Sequence, residues 1–511
     1  MEDEYLIKPV VASLRSNVLL EDCLREVTGL ALGEALTVIR GFLRAPGGEW
    51  LLQLEERLLR LMNHLAAAFS GLAVGLAHRS DSFVKDAFVQ LRGMSSQGVE
   101  WSREGPRSVT VRFLGGLSVP IKSPYVTQSR PQGSRKGPAG RRPGAGCYPA
   151  LVGLGIRDGA SPGLQSAAAR QVVRLASFEE ARAAFAETGN RMNVKTVRRI
   201  ALAVGEKALV QRRARIDAAQ SGAVYSGELA GQRVVIGVDG GRVRLREGGD
   251  RGRRRPNGHR GFHANWREPK LFSAYVIDEE GRPVRTLSPV YEATMDGPKK
   301  IFELLVAELR LRGIADAKEV IVTGDGASWI WNWSADLPVR LGIAEGKVTR
   351  VADFFHTVEH LQMIADSRKD WPAQDVQRWV NIHKRFLRQG RVNKVIADIR
   401  SLRKSRNRAL IKREIAYFTR LSPFMRYDFY RDHAIPLGSG AIESAIRRVV
   451  NLRLKAPGTF WKRANAEIML HLRCYLKAAR WNELMTRVIH ATPNGLPQSL
   501  STHTLHLDAA A

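Results

Sequence analysis

The 511-residue chain has little cysteine: Cys23, Cys147 and Cys474 lie far apart, with no Cys-x-x-Cys spacing and no even set for a disulfide framework. That excludes a small disulfide-stapled scaffold and suits a reducing cytosol. The chain is also short of acid, with 50 Asp plus Glu against 80 Lys plus Arg, and short of long apolar runs. Its longest charge-free stretch in the N-terminal part, residues 61–77, is interrupted by Asn63, His64, Ser70 and Gly71. It falls just short of the ~18 strongly apolar residues a spanning helix needs, so a packed helix is expected there and no membrane partner. Residues 1–5 are acidic and lack the basic-then-apolar order of a signal peptide. The protein is expected to stay inside the cell.

What is present is ordinary globular material, 44% apolar and 25% charged, enough for about three domains. The net charge of +30 and a pI near 10.6 argue for a polyanionic partner, nucleic acid first and an anionic membrane surface second. Residues 21–92 read as helices, with Leu51, Leu54, Leu58, Leu59 and Met62 recurring at three- and four-residue steps. Alternation at Val109, Val111 and Phe113, then Gly115-Gly116, then Leu117, Val119 and Ile121 predicts a β-hairpin. Residues 129–146 hold five basic residues among prolines and glycines and no acid; this is either a phosphate-neutralising arm or a solvated linker. Residues 178–202 resemble a helix-turn-helix, its second helix opening at residues 193–196 and exposing Lys195, Arg198 and Arg199 to DNA.

From Gln232 the texture changes to strands: residues 234–238, 271–277, 284–291 and 320–322, the last preceded by an amphipathic helix over 298–312. This pattern indicates a mixed sheet covered by helices. Residues 251–260, with five arginines, are too polar for a core and should face solvent or nucleic acid. Basic helices fill 371–430, and a last helix pair covers 442–490.

Two acids close strands, Asp239 in Gly-Val-Asp-Gly-Gly-Arg and Asp325 in Val-Thr-Gly-Asp-Gly. Two carboxylates on one sheet rim repel each other, and such a pair makes best sense as a site for hard divalent cations. Asp239-Gly240-Gly241 is equally the form of a hairpin turn, and Asp325 equally a cap for a helix starting near Ala327. Glu443 follows Gly438-Ser439-Gly440 in the first turn of a helix that continues through Arg447, Arg448, Arg453 and Lys455. An acid there either suits the helix dipole or belongs where metal and a nucleic-acid backbone meet. Trp329, Trp331 and Trp333 are expected to pack in a core, with stacking on unpaired bases as the alternative. Trp266 has the same two readings.

Residues 237–241, 266–270 (Trp-Arg-Glu-Pro-Lys), 323–331, 353–356 (Asp-Phe-Phe-His) and 438–444 together resemble the ISKra-type bacterial insertion-sequence transposases, which are DDE transposases related to the Mutator group. The resemblance spans residues 148–481. It implies an α/β fold with a ribonuclease-H-like mixed sheet flanked by helices, interrupted by a helical insertion and preceded by a largely helical N-terminal region. It implies Asp239, Asp325 and Glu443 as catalytic triad and ligands of two Mg²⁺ ions, with Mn²⁺ able to substitute. Asp353 and His356 match an element that relatives carry beside the active site; locally, Asp353 also reads as a helix cap. Relatives carry cysteine pairs in the N-terminal β-region, whereas only Cys147 lies nearby here, so no zinc site is expected.

The resulting domain plan is 1–108 helical, 109–147 hairpin and basic linker, 148–231 helix-turn-helix-like, 232–367 first part of the core, 368–435 insertion, 436–490 C-terminal core helices and 491–511 tail. The expected activity is metal-dependent cleavage of double-stranded DNA at transposon ends and strand transfer into a target. Arg253, Arg254, Arg255, Arg447, Arg448, Arg453 and Lys455 would add phosphate contacts to those of Lys195, Arg198 and Arg199. A homodimer or larger assembly, a cytoplasmic and nucleoid-associated location, and a bacterial setting complete the expectation. The alternatives are a structure-specific ribonuclease-H-like nuclease and a domesticated, inactive DNA-binding protein.

Overall fold

A computed structural model describes residues 20–93, 101–128, 146–247, 263–402 and 407–490. The linker 129–145, the stretch 251–260 with Arg253, Arg254 and Arg255, and the tail 491–511 lie outside the described residues. The chain divides into two units, Met1–Gln211 with Glu483–Ala511, and Arg212–Asn482.

The first unit opens with α1 (Leu20–Arg44), α2 (Gly48–Ala77) and α3 (Asp81–Gly93), followed by β1 (Trp101–Arg112) and β2 (Ser118–Gln128). The two strands form the expected hairpin, with Val111 opposite Val119 and Val109 opposite Ile121. Gly115 and Gly116 turn the chain at φ 107° and 97°, values that a Cβ disfavours. Successive side chains point to opposite faces of a strand, and Val111, Val119 and Ile121 share one core with Leu61, Ala67 and Ala68 of α2. By length and composition α2 could cross a membrane, and 33% of its apolar window is buried, in a stripe against the hairpin. β3 (Gly146–Cys147) pairs with β2. Then come α4 (Pro149–Gly153), α5 (Pro162–Arg174), α6 (Phe178–Glu187) and α7 (Val194–Gln220), within which the boundary between the units falls. Ser177 caps α6, its Oγ accepting the Glu180 N–H at 2.9 Å, and Gly189 turns the chain towards α7 at φ 84°.

The second unit contains β4 (Arg233–Gly240), β5 (Val243–Glu247), β6 (His263–Arg267), β7 (Lys270–Ile277), β8 (Val290–Thr294), α8 (Pro298–Arg310), β9 (Glu319–Gly324), α9 (Ser328–Ser334), α10 (Leu337–Leu341), β10 (Val348–Ala352) and α11 (Phe354–Asp366). Four further helices follow, α12 (Ala373–Arg388), α13 (Val392–Ser401), α14 (Arg408–Leu421) and α15 (Tyr427–Asp432). The C-terminal part holds α16 (Gly440–Ile446), α17 (Leu452–Leu454), α18 (Arg463–Lys477) and α19 (Trp481–Ile489), whose later residues belong to the first unit.

Five strands form one sheet in the order β10-β9-β4-β7-β8. β4, β7 and β8 are an antiparallel meander, and β9 and β10 continue the other side in parallel. This is the ribonuclease-H-like arrangement, a mixed sheet flanked by helices, with α12 to α15 between β10 and α16. The third strand starts later than the run 284–291 suggests, at Val290, because Pro289 just before it has no N–H to give a ladder. The pair β5–β6 and the edge strand β10 had no counterpart in the sequence reading. Along β4 the side chains alternate: Val234, Ile236 and Val238 enter a core with α8, while Val235 enters a second core with α11 to α15.

Candidate metal centre at the sheet rim

The parallel register places the acids. Gly237 of β4 is opposite Thr323 of β9, so Asp239 and Asp325, each two residues further on, leave neighbouring strand ends about 4.8 Å apart. Gly324 of β9 is opposite Ala352 of β10, so Asp353 stands beside Asp325, its N–H donating to the Gly324 carbonyl at 2.9 Å. All three acids have the parity of Val235, Ile321 and Val351 and therefore face the same side of the sheet. α16 packs on that side. A Cβ on Gly237 would lie 2.9 Å from Ile442 Cβ, so glycine here lets α16 close on β4 and brings the next residue, Glu443, to the rim.

Local hydrogen bonds fix each acid. Asp239 Oδ1 accepts the Gly240 N–H at 2.6 Å. Asp325 Oδ1 accepts the Ala327 N–H at 2.8 Å, and its backbone carbonyl accepts from Trp331 Nε1 at 2.7 Å. The hairpin-turn reading of Asp239-Gly240-Gly241 is corrected, because Asp239 and Gly240 pair with Leu271 and Lys270 in the β4–β7 ladder and β5 pairs with β6; Asp325 bonds just ahead of α9, whose N-cap position is Ala327. Asp353 caps α11, with Oδ1 accepting the His356 N–H at 2.8 Å, while its Oδ2 accepts the Ser439 N–H. Ser439 Oγ in turn donates to Glu443 Oε1 at 2.9 Å. One buried carboxylate therefore ties the start of α11 to the start of α16.

Among the described residues, His356 Nδ1 is buried without a hydrogen-bond partner. It lies 3.6 Å from Asp353 Oδ1 and 3.9 Å from Glu443 Oε1, ion-pair distances.

The electrostatics separate the roles. Burial pushes the Asp239 carboxyl up to about 6; the Gly240 N–H opposes this, Asp325 and Glu443 add to it, and His356 opposes it. Burial alone would raise Asp353 as well, but its bonds from His356 and Ser439 hold it at about 2. The adjacent Asp353 carboxylate raises His356 to about 9 against the effect of burial. Asp353, His356 and Glu443 offer ligand atoms within 4.8 Å of one another. Asp353 is also held by two N–H groups. Asp239 and Asp325 lie on the same rim, each accepting one N–H on Oδ1. Among the described residues none of Asp239, Asp325 and Glu443 has a Lys or Arg partner in an ion pair.

Other expected contacts divide. Lys195, Arg198 and Arg199 are exposed on α7, with Arg199 paired to Asp158 at 2.9 Å. Arg447 and Lys455 are exposed, whereas Arg448 is half-buried and donates to the Tyr291 hydroxyl at 2.8 Å. Arg453 is a correction. It is 2% exposed, its guanidinium 4.9 Å from the Trp461 ring centre, and cannot reach a phosphate. Arg453 follows the buried Ile442, Ile446, Val449 and Val450 at three- and four-residue steps, so the ordinary helical period itself turns it inward.

Trp331 stacks on Phe424 at 4.7 Å and Trp333 on Phe302 at 5.9 Å, the packing role. Trp266, on β6, is 49% exposed. Sequence reasoning missed Ser439 as the link between Asp353 and Glu443; its place in Gly-Ser-Gly at a helix start was the available signal. It also missed Arg420, which bonds the Gly326 carbonyl at 2.6 Å and Ser328 Oγ at 2.8 Å and so braces the loop after Asp325.

No known protein-family pattern matches the chain, and no curated protein is similar in sequence. Among solved structures it is similar to the Drosophila P element transposase strand transfer complex, at 12% identity and a TM-score of 0.23, over 65% of this chain and 83% of that chain. A likeness at that level bears no argument about function.

Proposed function

We propose that the chain is a DNA transposase of the DDE class, which cleaves transposon ends and transfers the freed strand into target DNA. What supports this reading is that strand register sets Asp239 and Asp325 on one rim of the sheet, that α16 docks on Gly237 just before Glu443, that both other acids act on the Asp239 carboxyl, and that among the described residues none of the three is paired with a lysine or arginine. Three carboxylates, one of them, Asp239, pushed up to about 6 by burial and like charge, fit Mg²⁺, with Mn²⁺ as substitute. Asp239, Asp325 and Glu443 would hold the metal. Bound there, divalent ions supply activation of the attacking hydroxyl and stabilisation of the leaving oxygen.

The chain's own residues do the rest. Asp353 fixes the starts of α11 and α16 in one relation and so delivers Glu443 to Asp239. The imidazolium of His356 faces Glu443 and offers positive charge where the phosphodiester meets the acids. Arg447 and Lys455 contact backbone phosphates beyond the site, and Lys195, Arg198 and Arg199 on α7 read or grip DNA through a helix-turn-helix. In the first step water adds to phosphorus at the element end and the bond to O3′ breaks, leaving a 3′-hydroxyl and a 5′-phosphate. That hydroxyl then attacks a target phosphodiester, forming one new bond and releasing a target 3′-hydroxyl, so no external energy source is consumed.

The test is incubation of the purified protein with Mg²⁺ and labelled DNA from its own genomic flanks. Nicking at the element ends and joining to target are expected, both lost on chelation. Asp239→Asn should lower cleavage by roughly a thousandfold or more while end binding persists. Cleavage by that variant at the wild-type rate would overturn the assignment.

A further inference from the structure

Strand β5 is the middle of a small three-stranded surface. Its partner on one side is β6, with Arg244 opposite Trp266 and Arg246 opposite Ala264. On the other side Leu245 bridges Trp461 in parallel. There the Trp461 N–H donates to the Arg244 carbonyl at 3.0 Å, and the Arg246 N–H to the Trp461 carbonyl at 2.8 Å. Side chains alternate along each strand, and Val243, Leu245 and Trp461 form the inner set, at 0%, 0% and 4% exposure. The outer face therefore collects Phe460 and Lys462, Arg244 and Arg246, and Trp266 with Ala264.

That outer face is open and carries a stack of its own. The Arg244 guanidinium lies 4.9 Å from the Phe460 ring centre and 5.4 Å from that of Trp266, and it donates to the Ala456 carbonyl at 3.0 Å. Both rings remain open to solvent, Trp266 at 49% and Phe460 at 38%, with Arg246 and Lys462 exposed beside them. Neighbouring strands are about 4.8 Å apart, so the rings stand about 10 Å apart with positive charge fixed between them. The charged residues on this face are all basic, which suits a polyanion. Flat aromatic faces interleaved with cations suit unpaired bases and their phosphates, whereas a closed duplex keeps its bases in the stack and offers such a surface its backbone. The face also lies close to the acids: β5 begins three residues beyond Gly240 of β4, and Arg244 is five residues from Asp239, at most about 17 Å along the chain.

We propose that this face binds an unpaired DNA strand, its bases stacking on Trp266 and Phe460 while Arg246 and Lys462 hold the backbone. The site deepens the transposase reading and rests on it for the identity of the polymer, since it takes the strand beside the proposed metal centre.

The test is fluorescence anisotropy of the full-length protein with a labelled oligothymidylate and, in parallel, a labelled duplex, with chelator present so that nothing is cut. Trp266→Ala with Phe460→Ala should weaken single-strand binding at least about tenfold and duplex binding less than about twofold, with the circular dichroism spectrum retained. Trp266→Ala alone should weaken it about fivefold, and Trp266→Phe, which keeps a stacking ring, should retain most of the affinity. A 2-aminopurine within the oligonucleotide should lose fluorescence on binding the wild type and keep it with the double variant. No single-strand binding by the wild type, or unchanged binding by the double variant, overturns the proposal, and the latter is the result expected if a protein occupies the face instead. Equal losses on strand and duplex overturn the stacking role. The transposase reading fails separately: Asp239→Asn cleaving at the wild-type rate ends that reading and leaves strand binding through Trp266 intact.

Discussion

Two groups of carboxylates in the unit Arg212–Asn482 have opposite surroundings. Glu308, 2% exposed, is gripped by Arg215 through two bonds of 2.7 Å and by Arg312 at 2.7 Å. Glu292, 0% exposed, has His471 Nδ1 at 2.9 Å and Arg212 at 3.6 Å. Asp239 and Asp325 sit in the same fold with no Lys or Arg ion-pair partner among the described residues, the positive charge acting on both being that of His356. Burying a charge costs several kcal/mol unless it is paired, and the interior of this unit supplies a partner wherever the acid serves folding. The contrast is what the proposed metal centre requires, rim acids without Lys or Arg partners beside interior acids that have them.

The comparison can be broken at either end. The largest expected effect is at the compensated acid: Glu308→Ala takes the carboxylate from the buried Arg215 and one of two from Arg312, which keeps Glu228 at 2.8 Å, and should lower unfolding free energy by about 3–5 kcal/mol, measured by urea denaturation. Next is the uncompensated acid, where the sign reverses. A carboxyl raised to about 6 in the fold, against 3.8 otherwise, binds more protons folded than unfolded between those values. Stability therefore falls as pH rises through that window and the full penalty is present above pH 6. Asp239→Asn should thus stabilise the metal-free protein at neutral pH by roughly 2 kcal/mol, with the gain vanishing below the window. Mg²⁺ should raise the wild-type melting temperature and that of the variant far less. A destabilised Asp239→Asn in thermal melts would contradict the contrast.

Smaller effects sharpen it. Asp353→Ala removes a helix cap and the bond to Ser439, at a cost of about 1–3 kcal/mol. It should also depress DNA cleavage, because Glu443 is no longer held at the rim. Equal activity at a temperature where the variant is fully folded would show that Asp353 serves stability alone. Trp331→Phe keeps the stacked ring but loses the indole donor to the Asp325 carbonyl. It should cost about 1 kcal/mol in thermal unfolding and have a modest effect on cleavage.

Much of the sheet was legible because β4 and β9 are short buried apolar runs ending in Gly and Asp, a pattern that local residues impose on themselves. β10 was not, since Val-Thr-Arg-Val-Ala mixes polar and apolar residues at a sheet edge where only one face needs covering. β6 was not, because all five of its residues are exposed and no alternation survives. The acids at positions 239, 325, 353 and 443 could be named from their neighbours. Arg453 was legible by phase, since it follows Ile442, Ile446 and Val449 at three- and four-residue steps on the buried face; its charge, and not its position, suggested a phosphate contact.

By itself the sequence determined the strand ends with their acids, the glycine turns, the capping residues and the excess of positive charge. Each depends on groups within a few residues of one another. Only the tertiary structure decided that Gly237 lies opposite Thr323, that α16 closes onto Gly237 through Ile442, and that Asp353 reaches Ser439. Strand register and helix docking are set by contacts across the whole unit, where every candidate pairing competes for the same buried surface, and no local pattern in the chain encodes which one wins.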